Sequence, residues 1–434
     1  MGSSSNKPVV SEQDFGVLLR GRAEGFLTIC AVPSATRWSK RRFFEVSASA
    51  DELESFLDDH GARTNRTFSA FTELVASIRG FALAGMQLAH LDRRLDSYGV
   101  AERLAGEGAD VLEHMREALS FVQDRTALLM GALLEEGREL CVTELRIGEG
   151  QRPEDALEAP PRLANNVDLD RIDDDDHRIA KVATSYLSAC DMLENVGIEP
   201  MDEPERREEF LRSKCSEEAA RVWEATVHNL QSSYDTYVKN TVLETGDPRL
   251  PDLRGHASAA LHSLGAVTHL THFVERHERG LRSDMADSVL QRLVPRSQVR
   301  DVTLNRLLVS AQAFIRSGAE IASSLLPSYT SVSSLELCLR EGIFLHARPA
   351  SLIVAIVQHH GTPVELEVAG SRCNAGSILE LMVAIGSNPE QRNFVAHGDE
   401  RTLKDLGELF AADLGEGGLD ELPNTLNYLR QRKS

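Results

Sequence analysis

The chain has 434 residues, enough for two to four domains with cores of their own at roughly 100 to 200 residues per domain. It carries 67 Asp and Glu against 47 Lys and Arg, and the resulting formal net charge of −20 disfavours nucleic acid and anionic lipid as partners. With 42% hydrophobic, 26% charged and 5% aromatic residues the composition is globular, neither disordered nor fibrous, and leans toward helix.

Met1 to Ser11 is polar and lacks the apolar core of a signal peptide, and no later stretch approaches 18 uninterrupted apolar residues. A cytoplasmic protein without membrane insertion is expected. Gly2 does not read as a myristoylation site, because Asn6 stands where Ser or Thr is needed. Six cysteines, at 30, 141, 190, 215, 338 and 373, form no CxxC pair, which predicts reduced thiols acting as buried fillers.

In chain order, residues 1–11 read as a disordered N-terminus and 12–147 as an α-helical domain. Within the latter, Ser49-Ala50-Asp51-Glu52 has capping-box spacing and predicts a short helix through Leu57 that ends near Gly61; Val46 and its neighbours could hold a short strand before it, though nothing there has the sustained alternation of a sheet. From Thr64, apolar residues recur at three and four (Phe68, Phe71, Val75, Ile78, Ala82, Met86, Ala89), predicting a long core-facing helix. A further helix is expected over 101–146. Residues 148–177, with Pro153, Pro160, Pro161 and the acidic run from Asp168 to Asp176, read as a linker or long loop. A second α-helical domain, 178–326, would hold helices over 177–197, 204–245, 252–292 and 297–326.

After a linker at 327–334 the pattern changes in kind. Leu335–Leu339 and Val364–Val368 alternate with period two, and Ala369-Gly370 reads as a tight turn into Ser371–Asn374. Between the first two strands Ala350, Ile353, Val354 and Val357 form a helical stripe, leaving Leu352 and Ile356 off it as extra apolar surface. A helix from Ser377, a strand around Phe394 to Ala396 and a helix through Leu403, Leu406, Leu409 and Phe410 follow. The predicted fold is multidomain: a large all-α region plus a C-terminal α+β sandwich, 335–415, with element order βαββαβα. Residues 416–434 read as a helical tail packing back on the bundle.

The chemistry lies in Leu345-His346-Ala347-Arg348-Pro349-Ala350-Ser351, where the first strand passes into a helix. If His346 caps that helix, Pro349 falls in its first turn, where a missing N–H costs nothing. The amides of Ala347 and Arg348 then point at the imidazole, and with the helix dipole and the Arg348 guanidinium they form a phosphate-binding group. That is the equipment of a phosphohistidine.

His-Ala-Arg-Pro-Ala at 346–350, together with Asn374-Ala375-Gly376-Ser377-Ile378-Leu379-Glu380-Leu381-Met382 and the 31-residue step from His346 to Ser377, resembles HPr, the histidine-containing phosphocarrier protein of the phosphoenolpyruvate-dependent sugar phosphotransferase system. The likeness covers about 333–415. It implies that His346 accepts a phosphoryl group from an enzyme I-like donor and passes it to a downstream acceptor, with Arg348 assisting. It also implies that Ser377 is a regulatory phosphorylation site for HPr kinase/phosphorylase, and that Ser351, Ile378, Leu379 and Met382 form the partner-docking face. The chain would be a phosphoryl carrier rather than a stand-alone enzyme, coupled to a helical regulatory module and using no cofactor. The alternative is a signalling scaffold whose HPr-like domain is phosphorylated or docked but hands phosphate to nothing. Three positions depart from the family: Phe344 replaces the glycine two before the histidine, Gly376 replaces the lysine before the serine, and Gly386 falls nine rather than eight after it.

Elsewhere His262, His269 and His272 share a helical face, with His256 and His277 nearby. Without the Glu-x-x-His pairs of di-iron bundles they read as a polar face or as hydrogen-bonded histidines, and no metal is expected.

Overall fold

The structure is a computed structural model that describes residues 10–33, 37–100, 104, 109–146, 175–239, 241–278 and 284–430. The expected disordered N-terminus (as far as residue 9), residues 148–174 of the expected linker and residues 431–434 of the tail lie outside the described residues. The chain is mostly helical, with one small four-stranded antiparallel sheet in its C-terminal region. The described residues divide into two compact units. The first takes those within 1–162, 192–228 and 254–317, the second those within 163–191, 229–253 and 318–434.

In the first unit, α1 (Glu12–Ala31) starts at Ser11, whose hydroxyl accepts from the Asp14 amide. Ser39 caps α2 (Lys40–Asp59) in the same way. The capping-box start expected at Ser49 and the strand expected at Val46 are therefore both corrected, since α2 runs through both. Phe43, Val46, Ala50, Leu53 and Leu57 form one buried stripe, and burying it whole outweighs a local start signal in its middle. α3 (Ser69–Arg94) buries Phe71, Val75, Ile78, Ala82 and Ala89 as expected. It packs against α2 and against α4 (Ala109–Glu139), and Gly85 lets the Phe43 ring in: a methyl group there would lie 2.2 Å from a ring carbon. α3 is long and apolar enough to cross a membrane by length and composition, and 67% of its most apolar window is buried in this protein. Two carboxylates enter the interface. Glu54 and Glu73 share Arg63 at 3.1 and 2.6 Å, while Arg79 approaches Glu54 at 2.5 Å and Arg276 at 3.6 Å.

Several expected helices are shorter or divided. The helix expected over 101–146 is described from Ala109 and stops at Glu139, where Gly137 O accepts from the amides of Val142 and Thr143. The 204–245 stretch holds α6 (Pro204–Ser213), α7 (Glu217–Tyr237) and α8 (Val242–Gly246), since the Ser216 hydroxyl caps a new start at the Ala219 amide. α5 (Asp175–Glu194) precedes them. The 252–292 stretch holds α9 (Arg249–Glu278) and α10 (Asp284–Leu293). The last expected helix is composite: α11 (Arg296–Asp301), a π-helical turn Val302–Leu308 and α12 (Val309–Tyr329). Buried Asn305 in the π turn bonds both Met201 backbone groups, at 2.8 and 2.9 Å, which holds the 198–203 loop.

In the second unit the expected linker 327–334 is corrected: α12 continues through Pro327 to Tyr329, and β1 (Val332–Cys338) begins at Val332. Then come α13 (Ala347–His360), β2 (Val364–Val368), β3 (Ser371–Asn374), α14 (Ile378–Ser387), β4 (Asn393–Asp399) and α15 (Glu400–Ala411). The strand order is β1-β4-β2-β3, every pair antiparallel, with Leu337 opposite Phe394 and Leu366 opposite Ala396. Ala369 and Gly370, at φ 51° and 83°, make the two-residue turn between β2 and β3. Phe394, Leu366 and Val368 turn inward to share one core with Ile353, Leu381, Leu406 and Phe410.

The tail is a different object from the one expected. Its described part is two 3₁₀ segments, Leu419–Glu421 and Asn424–Leu429, and Leu422, Leu426 and Leu429 are buried in the small sheet domain's core. This also corrects the reading of α13, because Leu352 and Ile356 are buried rather than left as surface: α13 meets the sheet core on one side and the tail on the other. Of the cysteines, Cys30, Cys190 and Cys215 are buried as expected, but Cys141 and Cys338 are exposed, and all six are free thiols.

Candidate functional site

His346 sits at φ −130° and ψ −172°, the extended conformation of a helix cap, and its Nδ1 accepts the Arg348 amide at 3.4 Å. Since Nδ1 is the acceptor, the ring proton is on Nε2, and Nε2–H donates to Glu416 Oε1 at 2.9 Å. The imidazole is half exposed (52%), so a partner can reach Nδ1. Arg348 lies beside it and donates from Nη2 to the Gly415 carbonyl at 3.3 Å, while the Ser351 hydroxyl donates to the Arg348 carbonyl at 2.6 Å. Ala347 is the first helical residue, and Pro349 follows within the first turn.

Glu416 is the residue of this candidate site that the sequence did not announce. Asp413, Leu414 and Gly415 all have positive φ (49°, 56° and 72°), a run that L-residues rarely adopt, and it turns the chain after α15 so that Gly415 O and Glu416 meet the start of α13. Fully buried Leu414 holds the run in place. A single acidic residue 70 positions after its partner carries no local signal; the nearest hint is the Gly415–Gly418 cluster, which marks a turn.

Ser377 caps α14, its hydroxyl accepting the Glu380 amide at 3.3 Å, while Asn374 Oδ1 accepts the Gly376 amide at 2.8 Å. A methyl group on Gly376 would lie 3.2 Å from Val357, which sits about 16 Å along the α13 axis from His346. The structure thus gathers His346, Ala347, Arg348 and Ser351 at one helix start and does not bring Ser377 to it. Ile378 and Leu379 are exposed, at 46% and 72%, as is Val383, with Met382 half-buried. Phe344, two residues before His346, is also exposed.

The other histidines have separate partners. His262 bonds Gln87 at 2.7 Å and lies 4.3 Å, ring to ring, from His90; His272 bonds Glu217 at 2.7 Å; and His256 faces the Ser317 hydroxyl. The side chain of His277 lies outside the described residues. Among the described residues no three His, Cys, Asp or Glu side chains converge as metal ligands do. Compared with family models, with curated proteins and with solved structures, the chain matches none.

Proposed function

We propose that the C-terminal domain is an HPr-like phosphocarrier that accepts a phosphoryl group on Nδ1 of His346, either transferring it or signalling with it in a phosphoenolpyruvate-dependent phosphotransferase or derived regulatory system. The carrying observation is the state of the ring: Nε2–H is held by Glu416, so the lone pair is on Nδ1, at a helix start where the Arg348 amide meets it, with the Arg348 guanidinium on the carbonyl of Gly415 next to Glu416. The order strand, helix, strand, strand, helix, strand, helix over Val332–Ala411, with His346 entering the first helix and Ser377 the second, supports the reading. In the transfer Nδ1 attacks phosphorus in line with the leaving atom. The Nδ1–P bond forms as the donor's bond to phosphorus breaks, and Nε2 keeps its proton on Glu416. An enzyme I-like protein is the donor, and the exposed Ile378 and Leu379 with Ser351 and Met382 form the docking face. Ser377, with its hydroxyl engaged as a cap, is the candidate for HPr kinase/phosphorylase.

Incubation of the full chain with phosphoenolpyruvate and enzyme I tests this. Acid-labile phosphate should appear on the native chain and vanish in His346→Ala. An unlabelled native chain beside a control HPr that labels leaves the scaffold alternative, and label that survives His346→Ala moves the acceptor elsewhere.

A further inference from the structure

The face of the sheet turned away from α13, α14 and α15 carries a histidine with a hydroxyl at one ring nitrogen and a carboxylate toward the other. Alternate residues of a strand point to opposite faces. Leu337, Phe394, Ala396 and Leu366 enter the core shared with the helices, which leaves Ser334 on β1, His397 on β4 and Glu367 on β2 together on the outer face. Ser334 stands directly opposite His397 in the β1–β4 register, and Glu367 is its diagonal neighbour on β2.

Ser334 Oγ lies 2.7 Å from His397 Nδ1, and Glu367 Oε2 lies 3.5 Å from His397 Nε2. Nε2 is buried. A lone pair there would face a carboxylate out of reach of water, so the ring proton stays on Nε2. Nδ1 then holds the lone pair, and the Ser334 hydroxyl donates to it. Arg372, opposite Glu367 on β3, bonds Glu365 at 3.0 Å and lies 3.9 Å from Glu367, which orders the carboxylate end of the array. Hydroxyl, imidazole and carboxylate therefore follow one another at the reach an activated serine requires. Ser334 is exposed and β1 is an edge strand, so a substrate can approach Oγ, while the His397 side chain is 22% exposed behind it. Cross-strand pairing by itself accounts for the contact between Ser334 and His397, but it does not call for a carboxylate at the second nitrogen.

We propose that Ser334 is an activated nucleophile that takes the acyl group of a neutral carboxylic ester, with His397 as its general base and Glu367 as the residue that positions the ring. Oγ attacks the acyl carbon, and the hydroxyl proton passes to Nδ1. As the new O–C bond forms, the bond from the acyl carbon to the leaving oxygen breaks, and the leaving alcohol takes the proton from Nδ1. Water then attacks the acyl-serine by the same route and releases the acid. Exposed Glu336, two residues along β1, and Glu365 and Glu367 on β2 make the surroundings negative, which favours a neutral ester over an acyl phosphate. His346 opens a helix on the other face of the sheet, so the proposal stands apart from the phosphocarrier reading.

Reaction of the full chain with 4-nitrophenyl acetate at pH 7.5 tests it, with nitrophenolate release followed by absorbance and the acid-quenched acetyl group located by peptide mass spectrometry. Acetyl should appear on Ser334, and its rate of appearance should fall about tenfold or more in His397→Gln. Ser334→Ala should lose the same share of nitrophenolate release, and Ser387→Ala, which removes an exposed hydroxyl on α14, should change nothing. Glu367→Gln should slow acylation about tenfold in the native background and not at all in His397→Gln, because the carboxylate acts only through the ring; equal slowing in both backgrounds overturns its part. Far-UV circular dichroism checks that each variant is folded. Acetyl confined to lysines overturns the proposal, and so does labelling of Ser334 at an unchanged rate in His397→Gln, which is the result for an ordinary surface hydroxyl.

Discussion

Acidification from pH 7.5 to 5.0 should destabilise the first unit through His262 and His269. Burial pushes the His262 imidazole down to about 3, reinforced by His90, Lys40 and Arg254, and burial pushes His269 down to about 4, reinforced by Arg221, His272 and Arg79. An unfolded histidine titrates near 6.5, so below that pH the unfolded chain binds protons that the folded chain refuses. Stability from each ring is fully present above about pH 7 and falls as pH drops through 6.5 toward the folded values. At pH 5.0 the loss per ring is about 1.5 units at ~1.4 kcal/mol each, or ~2 kcal/mol, and ~4 kcal/mol for the pair. Urea unfolding of wild type and the His262→Asn/His269→Asn variant at both pH values measures the effect. The variant keeps a donor for Gln87 and should lose about 4 kcal/mol of the pH dependence, whatever its stability at pH 7.5. If both proteins lose equal stability on acidification, the histidines are not its source and the reasoning fails.

Glu416→Gln keeps an acceptor for Nε2–H but removes the charge that favours it, so labelling of His346 by phosphoenolpyruvate and enzyme I should slow about tenfold, read from the time course of acid-labile phosphate. Glu54→Ala leaves Arg79 and Arg63 facing a buried gap and should cost about 3–5 kcal/mol in urea unfolding. Gly85→Ala drives a methyl into the Phe43 ring and should cost about 1–3 kcal/mol, recovered in part by a second change, Phe43→Leu. Leu426→Ala should cost about 2–4 kcal/mol and loosen the tail, increasing amide exchange over residues 413–429.

What could be read from the chain depended on range. The cap at His346, the cap at Ser377 and the turn at Ala369-Gly370 are each decided by backbone sterics and hydrogen bonds within four residues, so the residue types there announce them. The stripe from Phe71 to Ala89 was equally plain, because one helix period repeats in it. Ser49 misled for the converse reason: its capping signal is real locally, but Val46, Ala50 and Leu53 belong to one buried stripe that a helix start would have cut. On α13 a helical wheel separates Ile353 and Val357 from Leu352 and Ile356 yet cannot say that the tail covers the second pair.

The sequence by itself determined the caps at His346 and Ser377, the turn at Ala369-Gly370, and that an acidic, helix-rich chain carries one small sheet. Only the tertiary structure decided what those parts meet: Glu416 against His346, and Leu426 beneath α13. Capping and periodicity are energies of neighbouring residues, whereas a proton's position on His346 and the cover that Leu426 gives Ile356 depend on groups that the chain separates by 70 residues.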